Sequence, residues 1–253
     1  MPFDPIELSK RIEGIVVRGV LRKYYRVARG GRWYGGIATA DCVGCNLRCI
    51  FCWSGVSREN PEKVGKFYTP DYIYSKLKQL AKRRGYRQLR ISGNEPTIGR
   101  LHLLKLLDLV EADGEFKFIL ETNGLLIGYD KSYARDLSKY KCLHVRVSIK
   151  GCTPQEFSML TGAIPEAFKL QLDALKNLLD YGVSVHPAVM LSFSSKESKM
   201  WLIEKLSEID RVLVEEFEEE YVFEYPHVVE RLRKAGLTPK ISFKPTNIPE
   251  DLI

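Results

Sequence analysis

At 253 residues, with 45% hydrophobic and 28% charged side chains, the chain has the make-up of a globular protein of one large domain or two small ones. No apolar run reaches transmembrane length and no signal-peptide pattern opens the chain, which excludes a spanning segment and points to the cytoplasm. The formal net charge of +7 suits a lysine-rich surface, or attraction to nucleic acid or another acidic partner.

In chain order, Glu7 to Ile15 reads as a short helix and Leu21 to Trp33 as a basic, aromatic hairpin or surface arm. Tyr34 to Ala40 reads as a first strand leading into a loop that holds four of the six cysteines, Cys42, Cys45, Cys49 and Cys52. Thr69-Pro70-Asp71 predicts a helix start, the repeat of Ile73, Leu77 and Leu80 carries it to about Arg84, and Gly85 stops it. Gln88 to Ser92, Lys117 to Glu121, Leu143 to Ile149, Val183 to Leu191 and Lys240 to Lys244 are the further predicted strands. Helical patterns over Leu101 to Val110, Ser132 to Ser138, Pro154 to Leu160, Pro165 to Leu179, Ser195 to Ile209 and His227 to Ala235 lie between them. The acidic run Val212 to Tyr225 has no clear period.

Six alternations of strand and helix demand parallel strands joined by crossover helices. The expected fold is α/β, a partial (β/α)6 barrel with outer helices. It forms a single domain over 1–253, with a basic extension at 1–35 and the barrel core at 36–245. In such a fold ligands gather at the carboxyl ends of the strands. The unusual polar residues fall there: the cysteine loop, Ser92-Gly93-Asn94-Glu95-Pro96, Glu121-Thr122-Asn123-Gly124, Lys150-Gly151 and His186.

Six cysteines in a cytosolic chain argue for metal or redox chemistry rather than disulfides. Cys45, Cys49 and Cys52 are spaced C-x3-C-x2-C, which suits three corners of a [4Fe–4S] cluster and leaves the fourth iron open. A zinc site with Cys42 as fourth ligand is the competing metal assignment. Cys142 and Cys152 read as small buried residues.

The cysteine triplet with Phe51 before its last member resembles the signature of radical S-adenosylmethionine (SAM) enzymes. Ser92 to Pro96 resembles their Gly-Gly-Glu-Pro turn, with Asn94 in place of the second glycine. The resemblance covers about 36–193. It implies a [4Fe–4S] cluster bound by Cys45, Cys49 and Cys52, whose open iron is chelated by SAM. Reductive cleavage of SAM then yields a 5′-deoxyadenosyl radical that abstracts hydrogen from a substrate. It also implies that Phe51 packs near the adenine, that Ser92, Gly93, Asn94 and Glu95 hold the methionine amino group, and that a flavodoxin or ferredoxin supplies the electron.

Within the superfamily, Glu121 to Gly124 looks most like the glycyl-radical-enzyme activating enzymes. That likeness puts Glu121 on SAM, with Lys150 on its carboxylate, and implies a protein substrate. The Cys49-Ile50-Phe51-Cys52-Trp53 run is also similar to the tRNA wybutosine synthesis family, which makes tRNA the alternative substrate. A non-enzymatic iron–sulfur or zinc protein is the remote alternative.

Overall fold

The computed structural model describes residues 1–249. Strands β1 (Val17–Arg18) and β2 (Leu21–Gly31) form a hairpin, and β2 runs antiparallel to β3 (Ile37–Cys42). β4 (Lys66–Tyr68) also pairs with β2. From β3 the sheet continues in parallel through β5 (Gln88–Ser92), β6 (Lys117–Thr122), β7 (Leu143–Ile149), β8 (Val185–Met190) and β9 (Glu218–Glu220). The sheet does not close on itself, and β10 (Val222–Phe223) pairs with β11 (Ser242–Phe243) in a separate small sheet. The α/β architecture with six parallel strands is therefore as expected.

Period-two alternation assigns the two faces. Ala38, Ala40, Leu89, Ile91, Phe118, Leu120, Val145 and Val147 are buried on the outer face with Ile73, Leu77, Leu103 and Leu106 of the covering helices. The other face is polar and lines the lumen. The helix Pro70–Arg84 starts where Pro presets φ, with the Thr69 side chain accepting from Tyr72 N, and stops at Gly85 in the left-handed region. The helix Lys196–Ile209 is capped by Ser195 and Ser198 in a reciprocal capping box.

Two expectations are corrected. The sixth parallel strand is not Lys240 to Lys244 but Glu218–Glu220, inside the acidic run. A three-glutamate strand is tolerable because partners neutralise it: Arg146 holds Glu218 and Glu220, and Lys199 holds Glu219. For Leu21 to Trp33 the surface-arm reading gives way to its hairpin alternative, with β2 an eleven-residue strand of the main sheet. Arg22 and Lys23 are buried in it and donate to backbone carbonyls, Arg22 to Val16 and Glu95, and Lys23 to Pro61 and Glu62.

Candidate active site

The cysteine loop leaves β3 at the carboxyl-end mouth of the parallel strands and is held from several sides. Asn94 bridges its two ends: Oδ1 accepts from Gly44 N at 2.8 Å, and Nδ2 donates to Ser54 O at 3.4 Å. The residue that departs from the Gly-Gly-Glu-Pro pattern thus braces the loop with its side chain. Arg48 N and Ile50 N donate to Thr161 O and Leu160 O, at the end of helix Pro154–Thr161. Arg58 donates to Cys49 O at 2.5 Å, and Arg231 donates to Ile50 O at 2.9 Å and to Cys52 O. Neither arginine is marked by a motif, so sequence reading had no signal for them.

Gly93 sits at φ +91°, and a Cβ there would lie 2.9 Å from the Asp41 Cβ and from the Tyr25 ring. Only glycine lets this turn approach the loop so closely. Ser92 Oγ donates to Glu121 at 3.3 Å. Phe51 packs on Phe193 with ring centroids 6.3 Å apart, and the Lys150 ammonium lies 5.8 Å from its ring. Lys150 also donates to Ser148 and lies 3.6 Å from Glu220.

The Glu95 carboxylate is engaged by its own chain. It is 2% exposed and accepts from Thr97 N, Thr97 Oγ1, Thr122 Oγ1 and Asn123 N at 2.6–3.1 Å. Within the protein it braces the β5 and β6 ends, with three donors on Oε1 and one on Oε2. Glu121 is engaged as well, by Arg90 at 2.5 Å and Tyr34 at 3.1 Å. Burial alone would raise its pKa, but the Arg90 and Arg146 charges outweigh burial and hold it below the usual range.

Thr122 and Asn123 were quoted in sequence only as part of a turn, yet they link Glu95 to the cysteine loop. Asn123 Nδ2 donates to Asn46 Oδ1 at 2.7 Å. Gln171 ties the β6 and β7 ends together through Asn123 O, Ser148 O and Lys150 N.

Cys42 faces the other way. It is fully buried in the apolar core with Tyr24, on the face of β3 opposite Asp41, so it cannot complete a zinc site with Cys45. Cys142 and Cys152 are buried, as the sequence suggests. Among the described residues no three His, Cys, Asp or Glu side chains converge on a single-ion site. A cubane needs none, since each of its three cysteines binds a different iron.

The residues present fit such a cluster on two observations. Burial raises the Cys45 thiol, and the charges of Glu95, Cys49 and Cys52 raise it further. Burial likewise pushes Cys49 up to about 11, against the opposing pull of Lys150. Crowded thiols of this kind ionise when a metal supplies the positive charge. Asn46, within the triplet, keeps a buried amide Nδ2 without a partner among the described residues. Cys45, Cys49 and Cys52 would hold the irons, and the bound cluster supplies the one electron that cleaves SAM. The protein's own part is to fix the loop through Asn94, Arg58 and Arg231 and to place Lys150 at the mouth.

The lumen below the mouth carries paired ions. Arg29 grips Asp41 at 2.6 and 2.9 Å, aimed by a bulge in β2 where Ala28 takes a positive φ. Arg146 donates to Glu218 at 2.5 Å and to Glu220 at 2.9 Å, and His144, His186 and Glu218 form a line at 2.6 and 2.8 Å.

Residues 41–200 match the model of the radical SAM superfamily. A probable GTP 3′,8-cyclase of Pyrobaculum aerophilum is 29% identical over 143 residues, which is 56% of this chain and 43% of that enzyme. A second, of Thermococcus kodakarensis, is 26% identical over 212 residues, 78% of this chain and 64% of that enzyme. The chain thus spans less than two thirds of the length of these relatives.

Among solved structures, Streptococcus suis SuiB bound to SAM superposes with TM-score 0.58 at 22% identity, covering 77% of this chain and 44% of that one. The SAM complex of anSMEcpe gives 0.54 at 23%, covering 71% and 47%. At these identities the likeness shows the fold. The narrower resemblance to glycyl-radical-enzyme activating enzymes is not what these relatives show. The match runs from the cysteine loop through the Gly93 turn and the strand ends that face it, and the chain is an enzyme of the radical SAM superfamily, with a [4Fe–4S] cluster and SAM as its cofactors.

Proposed function

We propose that the chain cleaves SAM at a cluster held by Cys45, Cys49 and Cys52 and turns the resulting 5′-deoxyadenosyl radical on a peptide or protein. The observation that carries the reading is Lys150, an ammonium at the mouth beside Phe51 and Cys49, held by Ser148 and, at 3.6 Å, by Glu220. It is the group on this loop cluster suited to the carboxylate of SAM. The methionine amino group is left to Ser92 and to the backbone of Gly93 to Glu95, since both nearby carboxylates are engaged.

A peptide substrate is supported by the open sheet edge and by SuiB, which was solved with its precursor peptide SuiA and shares this fold. The activating-enzyme version of this reading rests on the Thr122-Asn123-Gly124 likeness alone. The tRNA reading keeps the likeness of the Cys49-Trp53 run but loses charge support, because Arg22, Lys23 and Arg29 are spent inside the fold. A flavodoxin or ferredoxin would donate the electron.

Two measurements test the reading. Titration of SAM into the reconstituted protein should show binding that Lys150→Met weakens, and unchanged affinity would remove Lys150 from the site. Bulk tRNA should not be retained on filters with the protein at low salt, whereas salt-sensitive retention would favour RNA over peptide.

A further inference from the structure

Asn46 follows the first cysteine of the triplet and is fully buried. Its amide orientation is set by its neighbours. Asn123 Oδ1 accepts from Leu125 N at 3.1 Å, so Asn123 must offer its Nδ2 on the other side. Asn46 answers with Oδ1 at 2.7 Å, which turns its own Nδ2 away. That Nδ2 has no partner among the described residues. A buried N–H left unpaired costs about 1–3 kcal/mol, so a ligand that accepts it explains its place here.

The acceptors nearby are sulfur. Leu47 N donates to Cys45 Sγ at 3.4 Å, and Asn123 Nδ2 lies 3.9 Å from the same atom. In the free thiol Cys45 Sγ donates to Asn46 Oδ1 at 3.9 Å, so the amide that carries the orphaned Nδ2 borders the corner that Cys45 would hold. Reduction adds one negative charge to a cluster already ringed by thiolates. N–H groups aimed at its sulfurs favour the reduced form and raise its potential.

We propose that Asn46 and Asn123 donate N–H···S hydrogen bonds to the cluster at the Cys45 corner and thereby set its reduction potential. The inference rests on the reading that Cys45, Cys49 and Cys52 hold the cluster. Glu95 is then a positioning residue acting through Asn123. Its carboxylate fixes the Asn123 backbone at 2.8 Å, while Gln171 holds the Asn123 carbonyl at 2.7 Å. The arrangement resolves a conflict. A buried carboxylate near the cluster opposes the arrival of an electron, and the two amides it positions offset that opposition.

The test is an EPR-monitored redox titration of the reconstituted protein without SAM. Asn46→Leu keeps the bulk and removes the donor without adding a charge. At the wild-type midpoint potential its reduced-to-oxidised ratio should fall about tenfold, a shift of about 59 mV for one electron. Asn46→Ser, which keeps a donor, should fall between the two. Resonance Raman of the oxidised cluster should show altered Fe–S stretching in Asn46→Leu, a change that a loosened loop at full iron content would not produce.

An assembled cluster with unshifted potential in both Asn46 variants would overturn the inference. A shift that appears only when SAM is present would overturn it too, by giving the amide to SAM. Should Asn46→Leu take up no iron, Asn123→Leu removes the neighbouring donor and decides by the same potential. A wild-type chain that takes up no cluster would sink the underlying reading instead, which keeps the two failures apart.

Discussion

The lumen and the mouth of the barrel treat charge in opposite ways. In the lumen Arg29 pairs with Asp41, Arg90 with Glu121, and Arg146 with Glu218 and Glu220, all at 2.5–2.9 Å. These pairs cross between strands and close the ledger of charge locally. At the mouth the groups are left incomplete: three crowded thiols, an ammonium 3.6 Å from its carboxylate and an amide N–H without an acceptor among the described residues. The difference separates a region that fixes the strands from one that is finished by its ligands. Substitutions in the lumen should therefore change stability, and substitutions at the mouth should change what the protein binds.

The largest effect belongs to the mouth. Cys49→Ala should abolish cluster uptake, read as iron content and visible absorbance after anaerobic reconstitution, with the fold retained. Cys42→Ala should keep the cluster, because its side chain packs in the core behind β3; the reverse result would mean that the triplet is misassigned.

Next come two variants that should strike stability. Arg146→Met leaves Glu218 and Glu220 without their guanidinium and should cost about 3–5 kcal/mol in denaturant unfolding. A cost near zero would mean that the lumen ions are not the closed set described. Glu95→Ala strands four donors and should cost about 1–3 kcal/mol while lowering cluster occupancy, since the brace reaches Asn46 through Asn123. Lys150→Met should weaken SAM binding about tenfold, or about 1.4 kcal/mol, with little change in unfolding. If it destabilised the fold as much as Arg146→Met, the distinction between lumen and mouth would fail at that residue.

Acid gives the mildest contrast. Burial and the neighbouring His186 hold the His144 ring down at about 4. A histidine whose pKa is lowered on folding contributes stability that is lost as pH falls from about 6.5 through 4. Burial works to raise Glu218, but Arg146 and His186 outweigh it and hold it at about 2. Its contribution is present above about 4.5 and is lost as pH falls toward 2. Both signs agree, so the thermal midpoint should drop steadily from neutral pH to pH 4 and below. Cluster uptake runs through the raised thiols instead and should improve as pH rises above neutral.

Much of the scaffold was legible because its signals are local. Thr69-Pro70, Gly85 and Ser195 mark helix ends by their own chemistry, and the cysteine spacing marks the loop. What was missed depended on partners distant in sequence. Glu218–Glu220 lies in an acidic run with no readable period because Arg146 and Lys199, which neutralise it, lie 20 to 74 residues away. For Leu21–Gly31 a basic arm stayed open beside the hairpin because the carbonyls that absorb Arg22 and Lys23 belong to other segments. The bracing role of Glu95 was missed because only the fold brings Thr122 and Asn123 onto its oxygens. Arg58 and Arg231 act on backbone carbonyls of the cysteine loop, contacts that carry no sequence pattern.

The central claim is that the mouth is completed by a site-differentiated cluster and SAM. It is tested most directly by incubating the anaerobically reconstituted protein with SAM and dithionite and measuring 5′-deoxyadenosine. The account predicts its release, and its loss in Cys49→Ala; SAM recovered intact, under conditions that cleave it in a control radical SAM enzyme, would contradict it.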